Sequence, residues 1–167
     1  MVRPELDTER LRLRFWRESD VEPLFAFYRD PQSAAVFGEG VKRSDVWRRT
    51  ALFVGHWELR GFGPWALEDK TTGNFAGFCG LWFPEGWDDV EVGYGIVPQF
   101  RGQGYAVEAA RCVRDYGHRQ EGIRRLVSYI SPDNTSSRRV AEKLGAVPDG
   151  EFLLHDKPHL VYLHIKH

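Results

Sequence analysis

The stretch EVGYGIVPQFRGQGYAVEAARCVRDYG, residues 91–117, decides the fold, because it predicts a strand, a glycine-rich loop and a helix in direct succession. Polar and apolar residues alternate along positions 91–97, as they do in a half-buried strand. The apolar face of this strand carries Val92, Tyr94 and Ile96. Pro98 has no N–H for a sheet ladder and ends the strand. Beyond the loop at 101–106, small residues at helical spacing predict one buried stripe, made by Ala106, Ala109, Ala110 and Val113.

The junction between loop and helix predicts an anion site. The start of a helix leaves four backbone N–H groups without partners and carries about half a positive charge. Gly102 and Gly104 have no Cβ, so the backbone can approach a ligand closely. The small side chain of Ala106 keeps the helix start open. Together these features predict a cradle for a phosphate or pyrophosphate.

Four interpretations of the loop compete. A P-loop requires Lys and then Ser or Thr after its last glycine, and Gly104 is followed by Tyr105, so this class is excluded. A dinucleotide fingerprint requires GxGxxG; GQGYAV lacks the third glycine, although composition alone does not exclude this class. The coenzyme A loop of acetyltransferases has the pattern [QR]xxGx[GA], which matches Arg101, Gly104 and Ala106. The fourth interpretation is a plain helix start at a tight turn, without a ligand.

Two blocks of sequence carry a resemblance to a known family. The first is E-V-G-Y at residues 91–94 followed by G-Q-G-Y-A-V-E-A at residues 102–109. The second has the form N-x-x-S-x-x-V-x-E-K-x-G and matches Asn134, Ser137, Val140, Glu142, Lys143 and Gly145. With these blocks and the opening TERLRLR, the chain resembles the GNAT superfamily of N-acetyltransferases over nearly its whole length. Within it, the chain is similar to the RimJ/RimL-type branch, which includes ribosomal-protein N-terminal acetyltransferases.

The predicted elements follow the order β-α-α-β-β-β-α-β-α-β-β. The resemblance implies the same order and an α/β (α+β) protein with the GNAT fold, a mixed, mostly antiparallel central sheet of about seven strands with helices on both faces. With 167 residues and no repeat or linker, one domain over residues 1–167 is expected. Strands are predicted at 10–15, 64–68, 74–83, 91–97, 125–131, 147–154 and 159–167. Helices are predicted at 19–29, capped by Ser19, at 45–60, after 104 and at 134–144, with a loop at 32–41.

Composition excludes several classes of function. The formal net charge of −1 gives no basic field for nucleic acid, and no apolar run approaches membrane length. The first ten residues, MVRPELDTER, lack the apolar core of a signal peptide. Cys79 and Cys112 match no metal spacing and are expected to be reduced, so the cytoplasm is the expected location. No metal is expected, since the late histidines form no HxxxH pair on a helix; these are His155, His159, His164 and His167.

The resemblance also implies where acetyl-CoA, the expected cosubstrate, binds. In the family it lies in a V-shaped opening between two strands, here 91–97 and 125–131. The pantetheine arm is expected to pair with the first strand and to contact Tyr94, Ile96 and Val97. The amides expected to hold the pyrophosphate belong to Arg101, Gly102, Gln103, Gly104, Tyr105 and Ala106. The Arg101 guanidinium is expected either to pair with this anion or to lie exposed in solvent.

Direct attack of a neutral amine on the thioester is the expected mechanism. Glu91 is the candidate general base, directly or through a water, and the alternative is an exposed carboxylate at a strand end. Many GNAT enzymes protonate the leaving thiolate with a tyrosine, but Ala141 occupies that position here. Ser137 is expected to hydrogen-bond the sulfur, since serine is a weak acid. Asn134 is expected to cap its helix and, by resemblance, to hydrogen-bond near the pantetheine and the sulfur.

The acceptor is the least determined part of the function. Its pocket is expected from the loop 32–41, the second helix and the turn 83–88, which carry or adjoin Trp47, Trp57, Trp82 and Trp87. These stretches mix acidic and basic residues, so a peptide N-terminal α-amine or a small amine metabolite is favoured over a polyamine or an antibiotic. The competing function is a non-catalytic CoA-binding sensor module. No nucleic-acid or membrane partner is expected, and a homodimer is compatible with the sequence.

Overall fold

The computed structural model describes residues 3–166. Within this range the strands are β1 (Leu6–Asp7), β2 (Leu11–Arg14), β3 (Pro64–Asp69), β4 (Phe75–Trp82), β5 (Val90–Ile96), β6 (Leu126–Ile130), β7 (Val147–Leu154) and β8 (Lys157–Leu163). The helices are α1 (Val21–Arg29), α2 (Pro31–Phe37), α3 (Arg43–Arg60), α4 (Tyr105–His118) and α5 (Thr135–Lys143). The predicted order of elements is confirmed, with the short β1 and α2 added to it.

All eight of these strands form one sheet in the order β1-β2-β3-β4-β5-β6-β8-β7. Neighbouring strands are antiparallel except β5 and β6, which run parallel. The expected mixed, mostly antiparallel sheet is therefore confirmed. A dinucleotide-binding fold is excluded, because that fold is built on a parallel sheet of consecutive βαβ units. The last strand ends at Leu163, and His167, which was predicted to lie in it, falls outside the described residues.

Helices cover both faces of the sheet, as predicted. On one face, α1 and α3 pack on β3 and β4 through an aromatic cluster that contains Trp16, Phe27, Tyr28, Phe53, Phe75 and Phe78. On the other face, α4 packs on β4 and β5 through its small-residue stripe, and Ala109, Ala110 and Val113 are fully buried. Burial of each large apolar side chain contributes about 1.5–3 kcal/mol, so these two layers hold β4 and β5 rigidly at the centre of the molecule.

Helix α2 replaces the loop predicted at 32–41. Asp30-Pro31 was expected only to end the first helix. Instead, Pro31 occupies the first position of a new helix, where a missing N–H costs nothing. The Asp30 carboxylate caps this helix by accepting the N–H of Ser33 at 3.1 Å. The prediction failed because an Asp-Pro pair that terminates one helix is also a good start for the next.

The start of α1 also differs from the prediction, since Ser19 is not its cap. A 3₁₀ turn, Glu18–Asp20, precedes the helix, and the Asp20 carboxylate accepts the N–H of Arg17 at 2.8 Å. Asp20 is 2% exposed because it also binds the buried guanidinium of Arg14 through two 2.9 Å hydrogen bonds. The cap is therefore Arg17, and the acidic residue three positions after it is Asp20. Asp20 takes this role in place of Glu22 because it also pairs with Arg14 on β2.

Among residues 3–166, none of the helices combines the length and the apolar character that crossing a bilayer requires.

The longest of the described helices, α3, buries Val46, Thr50, Phe53, His56 and Trp57. Two large apolar residues of the same helix, Trp47 and Leu59, are 48% and 86% exposed. Spacing alone did not identify the buried side of this helix, because apolar residues occur all around it.

Candidate active site

An opening between β5 and β6 forms the centre of the site. Within the described residues, the two strands pair only at Val90 with Leu126 and at Glu91 with Val127. From Val92 onward, β5 keeps its antiparallel partner β4 but has no strand on its other side. We call the gap between residues 92–96 and residues 128–130 the opening. The V-shaped separation implied by the sequence resemblance is therefore present at the two predicted strands.

The edge of β5 that faces the opening offers backbone groups to a ligand. Ladder bonds alternate in direction along an antiparallel strand. The C=O of Val92 and the C=O of Ile96 bind side chains on the side away from β4, at 2.9 Å each. Tyr94 lies between them, so its N–H and C=O point the same way and have no strand opposite. An extended ligand can pair with β5 there as an added strand.

Gly95 allows the aromatic cluster to pack against the backbone of β5. A Cβ on Gly95 would lie 2.6 Å from the ring of Phe78 and 2.7 Å from the ring of Phe27. On the face of β5 that points toward α1, this position therefore has no room for a side chain. The aromatic cluster packs directly on the backbone as a result.

The glycine-rich loop lies at the wide end of the opening and joins β5 to α4. Gly102 and Gly104 have φ angles of 72° and 83°, which residues with a Cβ rarely adopt. Within residues 3–166, the N–H groups of residues 102–106 donate to no protein acceptor, whereas the Arg101 N–H binds the Pro98 C=O at 3.2 Å. Five consecutive free donors at a helix start are the arrangement that favours an anion. The amide of Arg101, predicted to join them, is already occupied.

A network below the loop fixes its conformation. Arg10 donates to the Glu108 carboxylate at 2.7 Å and to the C=O of Gln103 at 2.8 Å, and its guanidinium lies 4.3 Å from the ring centroid of Tyr105. The hydroxyl of Tyr105 donates to the Asp69 carboxylate at 2.7 Å. These bonds tie the loop to β2 and β3. These contacts were not predicted from the sequence, although Glu108 in the motif and Arg10, the first arginine of TERLRLR, were visible signals.

The side chain of Arg101 does not lie free at the anion site. Its guanidinium donates to the Asp30 carboxylate at 2.7 Å, to the Ser33 hydroxyl at 2.7 Å and to the C=O of Ile96 at 2.9 Å. It is neither an exposed loop residue nor an unpaired cation. In the structure, Arg101 connects the loop to the start of α2 and occupies one carbonyl of the β5 edge.

Glu91 lies at the narrow end of the opening, on the last residue pair that joins β5 and β6. Its half-buried carboxylate accepts a hydrogen bond from the Trp87 indole at 3.0 Å. Burial raises the pKa of Glu91 to about 7, against the opposing effects of Trp87 and the backbone of Tyr129. A carboxylate with this pKa can accept and release a proton near neutral pH. The alternative of an ordinary exposed carboxylate does not describe this residue.

Three residues predicted to contact the pantetheine arm differ in their surroundings. Tyr94 crosses from β5 to α5, and its hydroxyl donates to the C=O of Ser137 at 3.1 Å. Ile96 and Val97 are 8% and 4% exposed and pack in the two cores on opposite faces of the sheet. Their side chains are buried, the C=O of Ile96 already binds Arg101, and the N–H and C=O of Val97 bind the backbone of Ala76 and Phe100, so these groups are not free for a ligand in the opening.

The second sequence block forms the start of α5 beside the opening. Asn134 is the N-cap, and its side-chain oxygen accepts the N–H of Ser137 at 3.2 Å. This bond holds Ser137 one helical turn beyond the cap. Ala141 is 1% exposed and packs with Ile130 and Tyr162, so this position faces the core and not the opening.

Of the four tryptophans considered for the acceptor pocket, Trp87 is the one that contacts a candidate catalytic residue. Trp57 is fully buried against Trp65, Trp82 stacks on His56, and Trp47 is exposed on α3. The Trp87 side chain lies over the sheet with Tyr129, Phe152 and Leu154. Its spacing of four residues from Glu91, across a turn, was the sequence signal for this contact.

The late histidines lie apart from one another. His155 is in the β7–β8 turn with a φ of 50°, His159 is on β8, and His164 is buried. In the part of the chain that the structure describes, no three His, Cys, Asp or Glu side chains form a group able to hold a metal ion. Cys79 and Cys112 are both free thiols.

Comparisons with known proteins agree with this geometry. The family model of the acetyltransferase (GNAT) domain matches residues 10–147. YkkB of Bacillus subtilis (strain 168) is 34% identical over 169 residues, which cover 96% of this chain and 95% of YkkB. The crystal structure of the acetyltransferase from Agrobacterium tumefaciens str. C58 has a TM-score of 0.90 at 31% identity, and the match covers 99% of this chain and 96% of that one.

RimL, the ribosomal L7/L12 α-N-protein acetyltransferase, has been solved in complex with coenzyme A. It has a TM-score of 0.74 at 18% identity, and the match covers 96% of each chain. At this identity the similarity shows a shared fold. The family model spans both sequence blocks and the opening between them. This chain therefore belongs to the GNAT acetyltransferase family and is an acyltransferase.

Proposed function

We propose that the protein is an acetyl-CoA-dependent N-acetyltransferase that moves an acetyl group to a primary amine by direct attack on the thioester. One observation carries the proposal. A carboxylate with a pKa of about 7, Glu91, lies at one end of the opening, and five free backbone amides lie at the other. The free amides suit the anionic end of an acyl donor, and the carboxylate suits the amine acceptor. The extended pantetheine arm of the donor would span the opening between them.

Acetyl-CoA would bind along the opening. The amides of residues 102–106 would hold the pyrophosphate, because free N–H groups at a helix start favour an anion. The pantetheine arm pairs with the N–H and C=O of Tyr94 as an added strand. Asn134 and Ser137, at the start of α5, lie beside the opening, where the C=O of Ser137 accepts the Tyr94 hydroxyl. The thioester would then lie within reach of an amine that Glu91 deprotonates.

Glu91 would act as the general base. The amine nitrogen attacks the thioester carbon, the N–C bond forms and the C–S bond breaks. The proton on nitrogen passes to Glu91, directly or through a water, and coenzyme A leaves as its thiolate. A carboxylate with a pKa near 7 matches this task, and a general base typically contributes a factor of about 10² to 10⁴ in rate.

The leaving group would depart without a tyrosine acid. Ala141 is buried in the core, so no acidic side chain from this position reaches the opening. A thiol has an ordinary pKa near about 8.5, so its thiolate is a good leaving group near neutral pH. The hydroxyl of Ser137 stabilises the developing charge on sulfur with a hydrogen bond.

The acceptor would be a peptide N-terminal α-amine or a small amine metabolite. An α-amine has a pKa of about 7.7–8.0, so its neutral form costs about 1 kcal/mol at pH 7, against roughly 4 kcal/mol or more for a lysine. A polycation needs an acidic pocket, but three of the acids expected near the pocket are paired with arginines. The ion pairs are Asp45–Arg48, Glu85–Arg60 and Asp89–Arg125.

A binding assay and a turnover assay test the proposal in sequence. Acetyl-CoA at about 100 times its dissociation constant should stabilise the protein by about 2.7 kcal/mol, measured by thermal unfolding. Free thiol should then appear with a peptide that has a free N-terminus, faster than with spermine or an aminoglycoside in the same assay. No thermal shift would contradict the proposal. Binding without turnover on any amine would favour a CoA-binding sensor, and preference for spermine or the aminoglycoside would contradict the acceptor class.

A further inference from the structure

A buried pair of side chains, Ser128 and His164, lies at the point where β5 and β6 separate. Ser128 directly follows Val127, the last residue of β6 that pairs with β5. The Ser128 hydroxyl donates to the C=O of Val92 on β5 at 2.9 Å, and the Nε2 atom of His164 lies 2.9 Å from the same hydroxyl. Both residues are 3% exposed. The pair bridges the two strands where the opening begins.

The directions of the two hydrogen bonds follow from the chemistry of the groups. A carbonyl can only accept, so the single hydroxyl proton of Ser128 goes to Val92. The hydroxyl oxygen must then accept from His164, which places the proton of the imidazole on Nε2. The other ring nitrogen, Nδ1, is buried without a partner among the described residues. Burial, with the cations of Arg114 and His118, lowers the pKa of His164 to about 4, which keeps the ring neutral.

The Ser128 hydroxyl replaces a backbone donor at the point where the β5–β6 ladder ends. In a continuing parallel ladder, the C=O of Val92 would accept a backbone N–H from β6. Here a side-chain hydroxyl takes that carbonyl, and a side chain between two backbones holds them farther apart than a ladder bond does. On its other side, β6 remains attached to β8, since Ser128 pairs with Tyr162 and the N–H of His164 donates to the C=O of Leu126 at 2.9 Å.

We infer that Ser128 and His164 are positioning residues that set the width of the opening and thereby the affinity for the extended arm of acetyl-CoA. The hydroxyl satisfies the first β5 carbonyl of the opening, that of Val92, and the imidazole keeps the hydroxyl aimed at it. Neither side chain contacts the reacting atoms. The inference rests on the proposed binding of acetyl-CoA in the opening.

Calorimetric titration of acetyl-CoA into matched variants tests the inference. Ser128→Ala leaves the Val92 carbonyl without its donor and should weaken acetyl-CoA binding about tenfold. Ser128→Thr keeps the hydroxyl and should bind within about threefold of the wild type. Thr50→Val is the matched control, because the Thr50 hydroxyl is also buried and donates to a backbone carbonyl, that of Val46 in α3, at 3.0 Å. It should lower the melting temperature without changing the affinity.

A second pair of variants covers the case in which Ser128→Ala does not fold. His164→Phe removes the donor to Ser128 and should also weaken acetyl-CoA binding, whereas His164→Gln keeps an N–H donor near that position and should retain most of the affinity. If the wild type binds acetyl-CoA and both Ser128→Ala and His164→Phe bind it equally well, the inference is wrong and the pair is only structural. If the wild type itself does not bind, the proposed cosubstrate site fails and the inference fails with it.

Discussion

The two ends of the opening differ in the groups that they offer to a ligand, backbone amides at one end and a side-chain carboxylate at the other. At the wide end, the free groups are backbone amides of a glycine-rich loop, and side chains serve only to fix the loop from below. At the narrow end, the candidate base is a single carboxylate whose pKa depends on burial. A site made from backbone tolerates many side chains and needs specific glycines. A site made from one side chain depends on everything packed around it.

The largest effect is expected from Glu91→Gln. Glutamine keeps an oxygen that can accept the Trp87 N–H but cannot take a proton, so turnover should fall by a factor of about 10² to 10⁴. Acetyl-CoA binding should not change, since the loop is intact. In the wild type, the rate should rise as the pH passes through about 7, and this step should vanish in the variant. A pH–rate profile that is the same in both proteins would remove Glu91 as the base.

The same substitution should stabilise the protein at alkaline pH. The pKa of Glu91 is about 7 in the folded state and near about 4.3 in an unfolded chain, so the folded state binds the extra proton between these values. Stability that this residue supplies is complete below about pH 4 and is lost as the pH rises through about 7. Denaturant unfolding at pH 8 should therefore show Glu91→Gln more stable by about 3 kcal/mol, with little difference at pH 4. Equal stability at pH 8 would mean that the carboxylate is well solvated.

At the wide end, Gly104→Val should weaken acetyl-CoA binding about a hundredfold. The φ angle of 83° at Gly104 is strained for a β-branched residue, so the loop must change its shape. Gly122→Val is the matched control, because Gly122 has a φ of 87° and open space around it but lies beyond α4. Both variants should lose stability, and only the first should lose affinity in calorimetry. Equal affinities would show that the loop amides do not hold the ligand.

A smaller effect, about tenfold on acetyl-CoA affinity, is expected from Arg10→Gln. This change removes the charge-assisted bond to Glu108 and the bond to the C=O of Gln103, so the loop loses part of its preorganisation. Arg43→Gln is the control, since it breaks an exposed ion pair with Glu22 that should contribute less than about 1 kcal/mol. Turnover at saturating acetyl-CoA should stay near the wild-type value in both variants. Full affinity in the Arg10→Gln variant would mean that the loop holds its shape without this support.

The sequence predicted the backbone end of the site better than the side-chain end. Glycine positions and a helix start are local features, and Gly102, Gly104 and the α4 stripe could be located from neighbouring residues alone. Glu91 was identified as a candidate, but its environment was not. Its pKa depends on Trp87, on β6 and on burial, which are set by tertiary packing.

The failures in the rest of the fold have the same origin. Arg101 was expected to meet an anion or solvent, and its partners Asp30 and Ser33 lie about seventy positions away in the chain. Helix α2 was missed because Asp30-Pro31 was considered only as a terminator. The role of Ser128 was not predicted, because the resemblance implied that the two strands separate but nothing in the sequence indicates at which residue they part. Local chemistry is visible in the sequence, whereas contacts between distant segments need the structure.

The short pairing between β5 and β6 has a consequence for how the molecule opens in solution. Strands β1 to β5 form one set of consecutively paired strands, and β6, β8 and β7 form another. Within residues 3–166, two residue pairs join the two sets. Such a seam divides a sheet into units that can exchange their amide hydrogens separately, since few bonds must break to separate them. A ligand lying along β5 as an added strand would span the seam. Bound acetyl-CoA is then expected to slow hydrogen exchange in β6 and β8 as well as in the loop, so that the cosubstrate completes the sheet into which it inserts.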